Sequence, residues 1–147
     1  MMDIASAKFV YHWVEATVPP PDHYEIEIQL LRSGGSIKFW PDYPGEGTPS
    51  WESWFELNDH DWDQLVKLIP PLLETKWITH TPPHLGGATE WLEKNDVVDN
   101  VIIPPDLIQE QAVRVSLLYS QIHGLVPPNI WEDFLLRRRS YRQSIGY

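Results

Sequence analysis

The stretch Tyr24-Glu25-Ile26-Glu27-Ile28-Gln29-Leu30 decides the fold of this chain. Its apolar side chains occupy every second position, and the positions between them are Glu or Gln. Alternation with a period of two is typical of a β-strand that buries one face and leaves the other in water. The stretch therefore predicts a strand of a sheet whose second face is at least partly solvated.

A hairpin follows directly from this strand. Gly34-Gly35 predicts a tight turn, because glycine readily adopts the positive φ angles that such turns require. Ile37 and Phe39 then continue the apolar face on the return strand, and Lys38 lies outward, opposite a glutamate of the first strand. The segment therefore predicts two antiparallel strands.

Further strands are predicted on both sides of this hairpin. Residues 9–18 are rich in β-branched and aromatic side chains, which favours a strand, although a helix stays open there. Residues 51–57 resume the alternation after a loop rich in proline and glycine. Residues 89–94 and 97–103 predict a second hairpin with its turn at Asn95-Asp96.

Three helices are predicted. The first begins at Asn58 or Asp59, whose side chains cap helices well, and ends at the paired prolines 70 and 71. Asp106 and Gln109 resemble a capping box at the start of a second helix that runs to residue 124. Pro128 opens the last helix. The element order predicts a single α+β domain, with an antiparallel sheet built from hairpins, helices packed on one face and two C-terminal helices.

The composition limits where the protein acts. The 147 residues include no cysteine, so disulfides, cysteine nucleophiles and thiolate metal sites are excluded, and a reducing cytoplasm is the simplest compartment. The first eight residues lack the basic and apolar regions of a signal peptide, so we expect none. No apolar run approaches the length that spans a bilayer, so we expect no membrane partner.

The charge is distributed unevenly. The formal net charge is −10, but all 21 acidic residues precede Leu136 and are accompanied there by 7 basic ones, giving −14 for that part. The last eleven residues carry four arginines and no acid. A surface this negative repels a nucleic-acid backbone and suits a basic protein partner. Docking of the arginine-rich last helix on the acidic body of a second copy, which would form a homodimer, stays open.

Catalytic and metal-binding motifs give no strong signal. The sequence has no nucleophile elbow, phosphate-binding loop or dinucleotide fingerprint, so an enzyme is the less favoured class and we expect no cofactor and no catalytic residues. His80 and His84 have metal-like spacing, but the two prolines between them prevent a helix from presenting both rings, so we expect no metal site. A small hydrolase or carbohydrate-binding protein that uses Glu25, Glu27 or Glu52 stays open as an alternative.

Two resemblances to known proteins bear on function. The segments Phe9-Val10-Tyr11-His12-Trp13, Pro19-Pro20-Pro21-Asp22-His23-Tyr24 and Phe39-Trp40-Pro41-Asp42-Tyr43-Pro44 resemble a set of small bacterial proteins of unassigned function. The Arg32-Ser33-Gly34-Gly35 turn, with the helix and hairpin after it, is similar to emfourin-type inhibitors of bacterial metalloproteases. The second resemblance implies a protease inhibitor, which we keep as an alternative.

The strongest candidate for a functional surface is the aromatic segment, residues 40–54. Two of its indoles, those of Trp40 and Trp54, fall on the face predicted to be solvated, and tryptophan is enriched at interface hot spots. Alternatively, the segment folds back and its rings form a second small core. The predicted partner-binding residues are Trp40, Asp42, Tyr43, Glu46, Trp51 and Trp54. We therefore predict a non-catalytic accessory, inhibitor or immunity-type protein that binds a protein partner through this segment and the acidic surface.

Overall fold

The computed structural model describes residues 8–15, 22–80, 88–94 and 101–146. Its centre is a six-stranded antiparallel sheet with the strand order β4-β3-β2-β1-β5-β6. The strands are β1 (Phe9–Val14), β2 (Glu25–Leu31), β3 (Gly34–Trp40), β4 (Trp51–Phe55), β5 (Thr89–Lys94) and β6 (Val101–Ile103). The helices are α1 (Asp59–Leu68), the short α2 (Pro70–Leu73), α3 (Gln109–Leu125) and α4 (Pro128–Ser144). The predicted α+β fold with two C-terminal helices is confirmed.

The register of the sheet follows from the alternating sequence. In β2, Ile28 lies opposite Tyr11 of β1 and Ile37 of β3, and all three side chains are fully buried. Glu27 lies on the other face, opposite Lys38, as the sequence predicts. A slip of one residue would exchange the two faces of β2, so burial of the apolar set fixes this register.

The helices pack on the face of the sheet that carries the apolar residues. Trp62 of α1 contacts Phe9, with ring centroids 5.9 Å apart, and Phe134 of α4 stacks on Phe39 at 5.4 Å. Tyr119 of α3 lies 5.1 Å from Tyr11. Each large ring buried this way contributes roughly 2 to 3 kcal/mol through the area it removes from water. The core therefore lies between the helices and one side of the sheet.

The predicted turn at Gly34-Gly35 is wrong. Arg32 and Ser33 form the turn, and both glycines belong to β3, where Gly35 pairs with Leu30. A Cβ on Gly35 would lie 2.5 Å from the Phe55 ring and 2.9 Å from the carbonyl oxygen of Gln29. Gly35 is thus required for packing, because β4 brings a phenyl ring directly over the backbone of β3.

The ends of the helices agree with the sequence in part. Asn58 caps α1, and its side-chain oxygen accepts a 2.7 Å hydrogen bond from the amide of Asp61. The predicted capping box at Asp106 is wrong, because the N-cap of α3 is Ile108 and no side chain caps it. Asp106 instead has a φ angle of 59° and accepts a hydrogen bond from the amide of His80 through its carbonyl.

The boundary predicted at the paired prolines differs from the structure in one respect. The paired prolines at positions 70 and 71 end α1, but they also open the short α2, because proline suits the first turn of a helix. The predicted turn at Asn95-Asp96, the end of the first predicted strand and His84 lie outside the described residues.

Candidate functional site

The sheet face opposite the core carries no helix among the described residues, and we call it the open face. Its polar and aromatic side chains come from every second position of five strands. They are His12, Glu25, Glu27, Gln29, Ser36, Lys38, Trp40, Glu52, Trp54, Trp91 and Glu93. Three indoles and four carboxylates therefore share one surface.

Trp54 is the most exposed large apolar side chain of this surface. Its indole is 71% exposed, although it lies in a strand and directly precedes the buried Phe55. Trp40 is half-buried, with the ammonium of Lys38 positioned 5.0 Å from the centre of its ring. A cation at this distance from an indole is attracted by the ring quadrupole, which orients Lys38 along the surface.

The open face is acidic. Lys38 lies between Glu27 of β2 and Glu52 of β4 in the strand register, so one lysine faces two carboxylates. Glu25 lies opposite Trp40, and its carboxylate is 2.8 Å from Nε2 of the buried His23. Four carboxylates against one lysine leave the face negative at neutral pH.

The loop at the start of the aromatic segment is held by internal contacts. Asp42 is buried, and its carboxylate accepts hydrogen bonds from the backbone amide of Tyr43 at 2.8 Å and from the hydroxyl of Tyr141 in α4 at 3.4 Å. Tyr43 stacks on His23 with ring centroids 3.6 Å apart, yet remains 38% exposed. Asp42 therefore fixes the loop, and Tyr43 presents an oriented ring at the end of the sheet.

The remaining predicted residues lie on different sides of the molecule. Trp51 is in the same strand as Trp54 but three residues away, so it lies on the helix side and stacks on Phe39 at 5.8 Å. Glu46 is exposed in the loop. The structure thus brings Trp40 and Trp54 onto one face, places Tyr43 and Glu46 at its end, and assigns Asp42 and Trp51 internal contacts.

A second candidate site lies on the helix side, in a cleft of about 800 Å³ between strands β1 and β5 of the sheet and α3. Trp13 and Glu90 belong to its sheet wall, and Ala112, Tyr119 and His123 belong to its helix wall. The small side chains of α3 make room here, since Ala112, Ser116 and Ser120 recur every four residues along the cleft.

Three polar side chains form a hydrogen-bonded chain in this cleft. The hydroxyl of Tyr11 donates to Oε2 of Glu90 at 2.5 Å, and its oxygen lies 2.8 Å from Nε2 of His123. Because a phenol has a single proton, His123 must be the donor to Tyr11 when Tyr11 donates to Glu90. His123 also stacks on Trp131 at 5.5 Å, which fixes the plane of the imidazole.

Burial shifts the proton affinities of this chain. Removal from water raises the pKa of the Glu90 carboxyl, and the hydrogen bond from Tyr11 opposes that shift only in part. Removal from water lowers the pKa of the His123 imidazole. The pKa of Tyr119 is raised by burial and by the neighbouring Glu90. Burial therefore favours the neutral form of Glu90, Tyr119 and His123.

The hydroxyl of Tyr119 is the one polar group of the helix wall that stands out as unsatisfied. The residue is 7% exposed, and its hydroxyl has no hydrogen-bond partner among the described residues. Buried polar atoms are nearly always paired, so an unpaired hydroxyl in the wall of a cleft indicates a place for a ligand atom or water.

The sequence prediction missed this cleft. Tyr11 and Glu90 are separated by 79 positions, and Tyr11 and His123 by 112, so no local spacing connects them. Glu90 gave one available signal, because it is an acidic residue at a position of β5 that shares a face with the apolar Leu92.

Neither site resembles a metal centre, and the described residues contain no group of three or more His, Asp or Glu side chains placed to hold a metal ion. Of the helices that the structure describes, none is long and apolar enough to cross a membrane.

No family model matches the chain, and no curated protein matches it.

Proposed function

We propose that this protein is a non-catalytic accessory, inhibitor or immunity-type protein that binds a basic protein partner through its open face. Trp54 is the observation that carries the proposal. An indole that is 71% exposed in an edge strand of the sheet leaves a large apolar area in water, and burying it in a complex would recover that free energy. Tryptophan dominates the energetics of many protein interfaces for this reason.

The charge of the open face favours a protein partner with positive charge. Glu25, Glu27 and Glu52 lie on this face, and Lys38 is the one lysine or arginine among its described strand residues. Charges at the rim of an interface steer the encounter and exclude partners of the same sign. The open face therefore suits a surface that combines an apolar pocket with surrounding Lys or Arg.

The aromatic segment extends the proposed surface at one end of the sheet. Tyr43 and Glu46 are exposed there, and the stack of Tyr43 on His23 orients the tyrosine before any partner binds. A side chain that is already oriented loses less entropy on binding. In this proposal, Asp42 and Trp51 support the segment through their contacts with Tyr141 and Phe39.

The proposal places the protein in a reducing cytoplasm, since the chain has no cysteine. It also assigns the arginines of α4 a role within the chain. Arg142 lies 3.3 Å from the carboxylate of Asp22, and the guanidinium of Arg138 lies over the ring of Tyr24 at 4.8 Å. These contacts engage two of the four arginines that a homodimer would otherwise use.

Affinity capture tests the proposal. The purified wild-type chain, the double variant Trp40→Ala with Trp54→Ala, and the control Leu117→Ala are each used to capture partners from a lysate of the source organism. Leu117 is a matched control because it is 58% exposed on α3, away from the open face. We expect a basic protein that is retained by wild type and control and lost by the double variant. An unchanged profile for the double variant would contradict the proposal.

A further inference from the structure

We propose that the cleft between α3 and strands β1 and β5 binds a small organic cation, namely an ammonium group attached to an apolar body, with Glu90 as its counter-ion. The site is distinct from the proposed partner surface, because it lies on the helix side of the sheet. It therefore adds a second binding activity to the one proposed above.

The charge of the lining determines the class of ligand. Two carboxylates, those of Glu90 and Asp106, line the cleft, and none of the lysines or arginines of the described residues does. An anionic ligand would meet two acidic residues there and no lysine or arginine of the described residues, since the basic side chains of the lining are the imidazoles of His80 and His123. Buried charges are retained in proteins when they are paired, so a cation is the ligand that the lining compensates.

Glu90 has an acceptor left for such a ligand. Its Oε2 atom accepts from Tyr11, and no hydrogen bond from the described residues reaches its Oε1 atom. The hydrogen bond with His123 orients the hydroxyl of Tyr11, and Tyr11 in turn holds the carboxylate of Glu90 in place. An ammonium group bound at Oε1 would form a charge-assisted hydrogen bond, the stronger class of such contacts.

Tyr119 supplies the second polar contact. Its buried hydroxyl has no partner among the described residues, and its oxygen can accept a hydrogen bond from an ammonium N–H. The phenol lies next to Tyr11, with ring centroids 5.1 Å apart, and therefore close to the carboxylate of Glu90. A carboxylate and a phenol on adjacent elements form a polar end of the cleft.

The rest of the cleft suits an apolar body. Its apolar lining residues are Trp13, Leu107, Ala112 and Val115. An aromatic ring near an ammonium group also attracts the cation directly. With a volume of about 800 Å³, the cleft is in the range of sites that hold small molecules. The ligand class is therefore an amine that carries a compact hydrophobic group.

Three probes of similar size and different charge test the inference. Phenethylammonium chloride, 2-phenylethanol and sodium 3-phenylpropionate are titrated separately into the ¹⁵N-labelled full chain, and amide shifts are followed by NMR. We expect the ammonium probe to shift amides of β5 and α3 with a Kd of roughly 1 to 10 mM, as befits a fragment. We expect weaker binding of the alcohol and none of the carboxylate.

Variants assign the binding to Glu90 and Tyr119. Glu90→Gln should weaken binding of phenethylammonium at least about tenfold, and Tyr119→Phe should weaken it severalfold. Glu93→Gln is the matched control, because Glu93 belongs to the same strand but faces the other side of the sheet, and it should bind as wild type does. The amide spectra of the variants report whether each one is folded.

The inference is overturned by any of three results. These are no shifts from phenethylammonium up to about 10 mM, equal affinity for the three probes, or unchanged affinity in folded Glu90→Gln. The proposed partner binding is unaffected by these results, since Trp54 lies on the opposite face. Failure of the Trp54 capture experiment would likewise leave the cleft untouched.

Discussion

Trp54 and Phe55 are neighbours in β4 and point to opposite faces of the sheet, so that the indole is 71% exposed while the phenyl ring is 7% exposed. Phe55 lies over Gly35 and belongs to the core. Trp54 lies opposite Ser36, a small side chain that gives the indole no apolar support. In this strand, Phe55 therefore contributes to the stability of the core, and Trp54 forms part of the surface.

The first prediction compares these two rings. Phe55→Ala should lower the free energy of unfolding by about 3 to 5 kcal/mol, because it removes a buried ring and leaves a cavity. Trp54→Ala should change the free energy of unfolding by no more than about 0.5 kcal/mol, because most of the indole is already in water in the folded protein. Urea denaturation followed by circular dichroism measures both values. A large loss for Trp54→Ala would show that the indole supports the fold.

The second prediction concerns two glycines. Gly35→Ala should destabilise the protein by about 1 to 3 kcal/mol, because the new Cβ would lie 2.9 Å from the backbone oxygen of Gln29, which cannot move aside as the Phe55 ring can. Gly124→Ala is the control. It has open space around it in α3, and alanine should stabilise the helix by about 0.5 to 1 kcal/mol. Thermal denaturation measures the melting temperature of each variant, and a change of the same sign in both would refute the prediction.

The third prediction uses the raised pKa of Glu90. In the unfolded chain the pKa of this carboxyl is near its usual value of 4.5, and in the folded protein it is higher. At pH values between these two pKa values, the folded state therefore binds more protons than the unfolded state. Stability contributed by the protonated group is therefore lost as pH rises through this window. Glu90→Gln should match wild type at low pH and be more stable at neutral pH.

Denaturation of both proteins between about pH 6.5 and pH 8 measures this difference. The lowered pKa of His123 acts in the opposite direction, since it costs stability as pH falls below 6.5, so the comparison of the two proteins is made above that pH. A Glu90→Gln variant that is less stable than wild type at neutral pH would contradict the account.

The fourth prediction concerns the acidic rim of the open face. Glu52→Gln should slow association with the captured partner by a factor of roughly 2 to 5 at low salt and leave the dissociation rate unchanged, because rim charges act on the encounter. Glu132→Gln, exposed on α4, is the control. Surface plasmon resonance at two salt concentrations separates the rates. The effect should shrink as salt increases, and an effect confined to dissociation would argue against charge steering.

The local patterns of the sequence predicted much of the fold. Alternation in β2 and β4 gave both the strands and the faces of Trp54 and Phe55, and Asn58 marked the start of α1 correctly. These features depend on residues that are neighbours in the sequence, so periodicity and capping chemistry reveal them.

What the sequence could not reveal depends on distant contacts. Gly35 of β3 pairs with Leu30 of β2 and is covered by Phe55 of another strand, whereas the local sequence pattern assigns it to the turn. Trp51 faces the helices although it belongs to the predicted surface segment. The chain of Tyr11, Glu90 and His123 joins one end of the sequence to the other, so it exists only once the sheet and α3 have packed together.

The affinity of the captured partner for Trp54→Ala tests the central claim most directly, and isothermal titration calorimetry measures it. A hot-spot tryptophan contributes at least about 2 kcal/mol, so the Kd should rise by about 30-fold or more while the variant keeps the stability of wild type. A Kd equal to that of wild type would contradict the claim that the protein binds its partner through the open face.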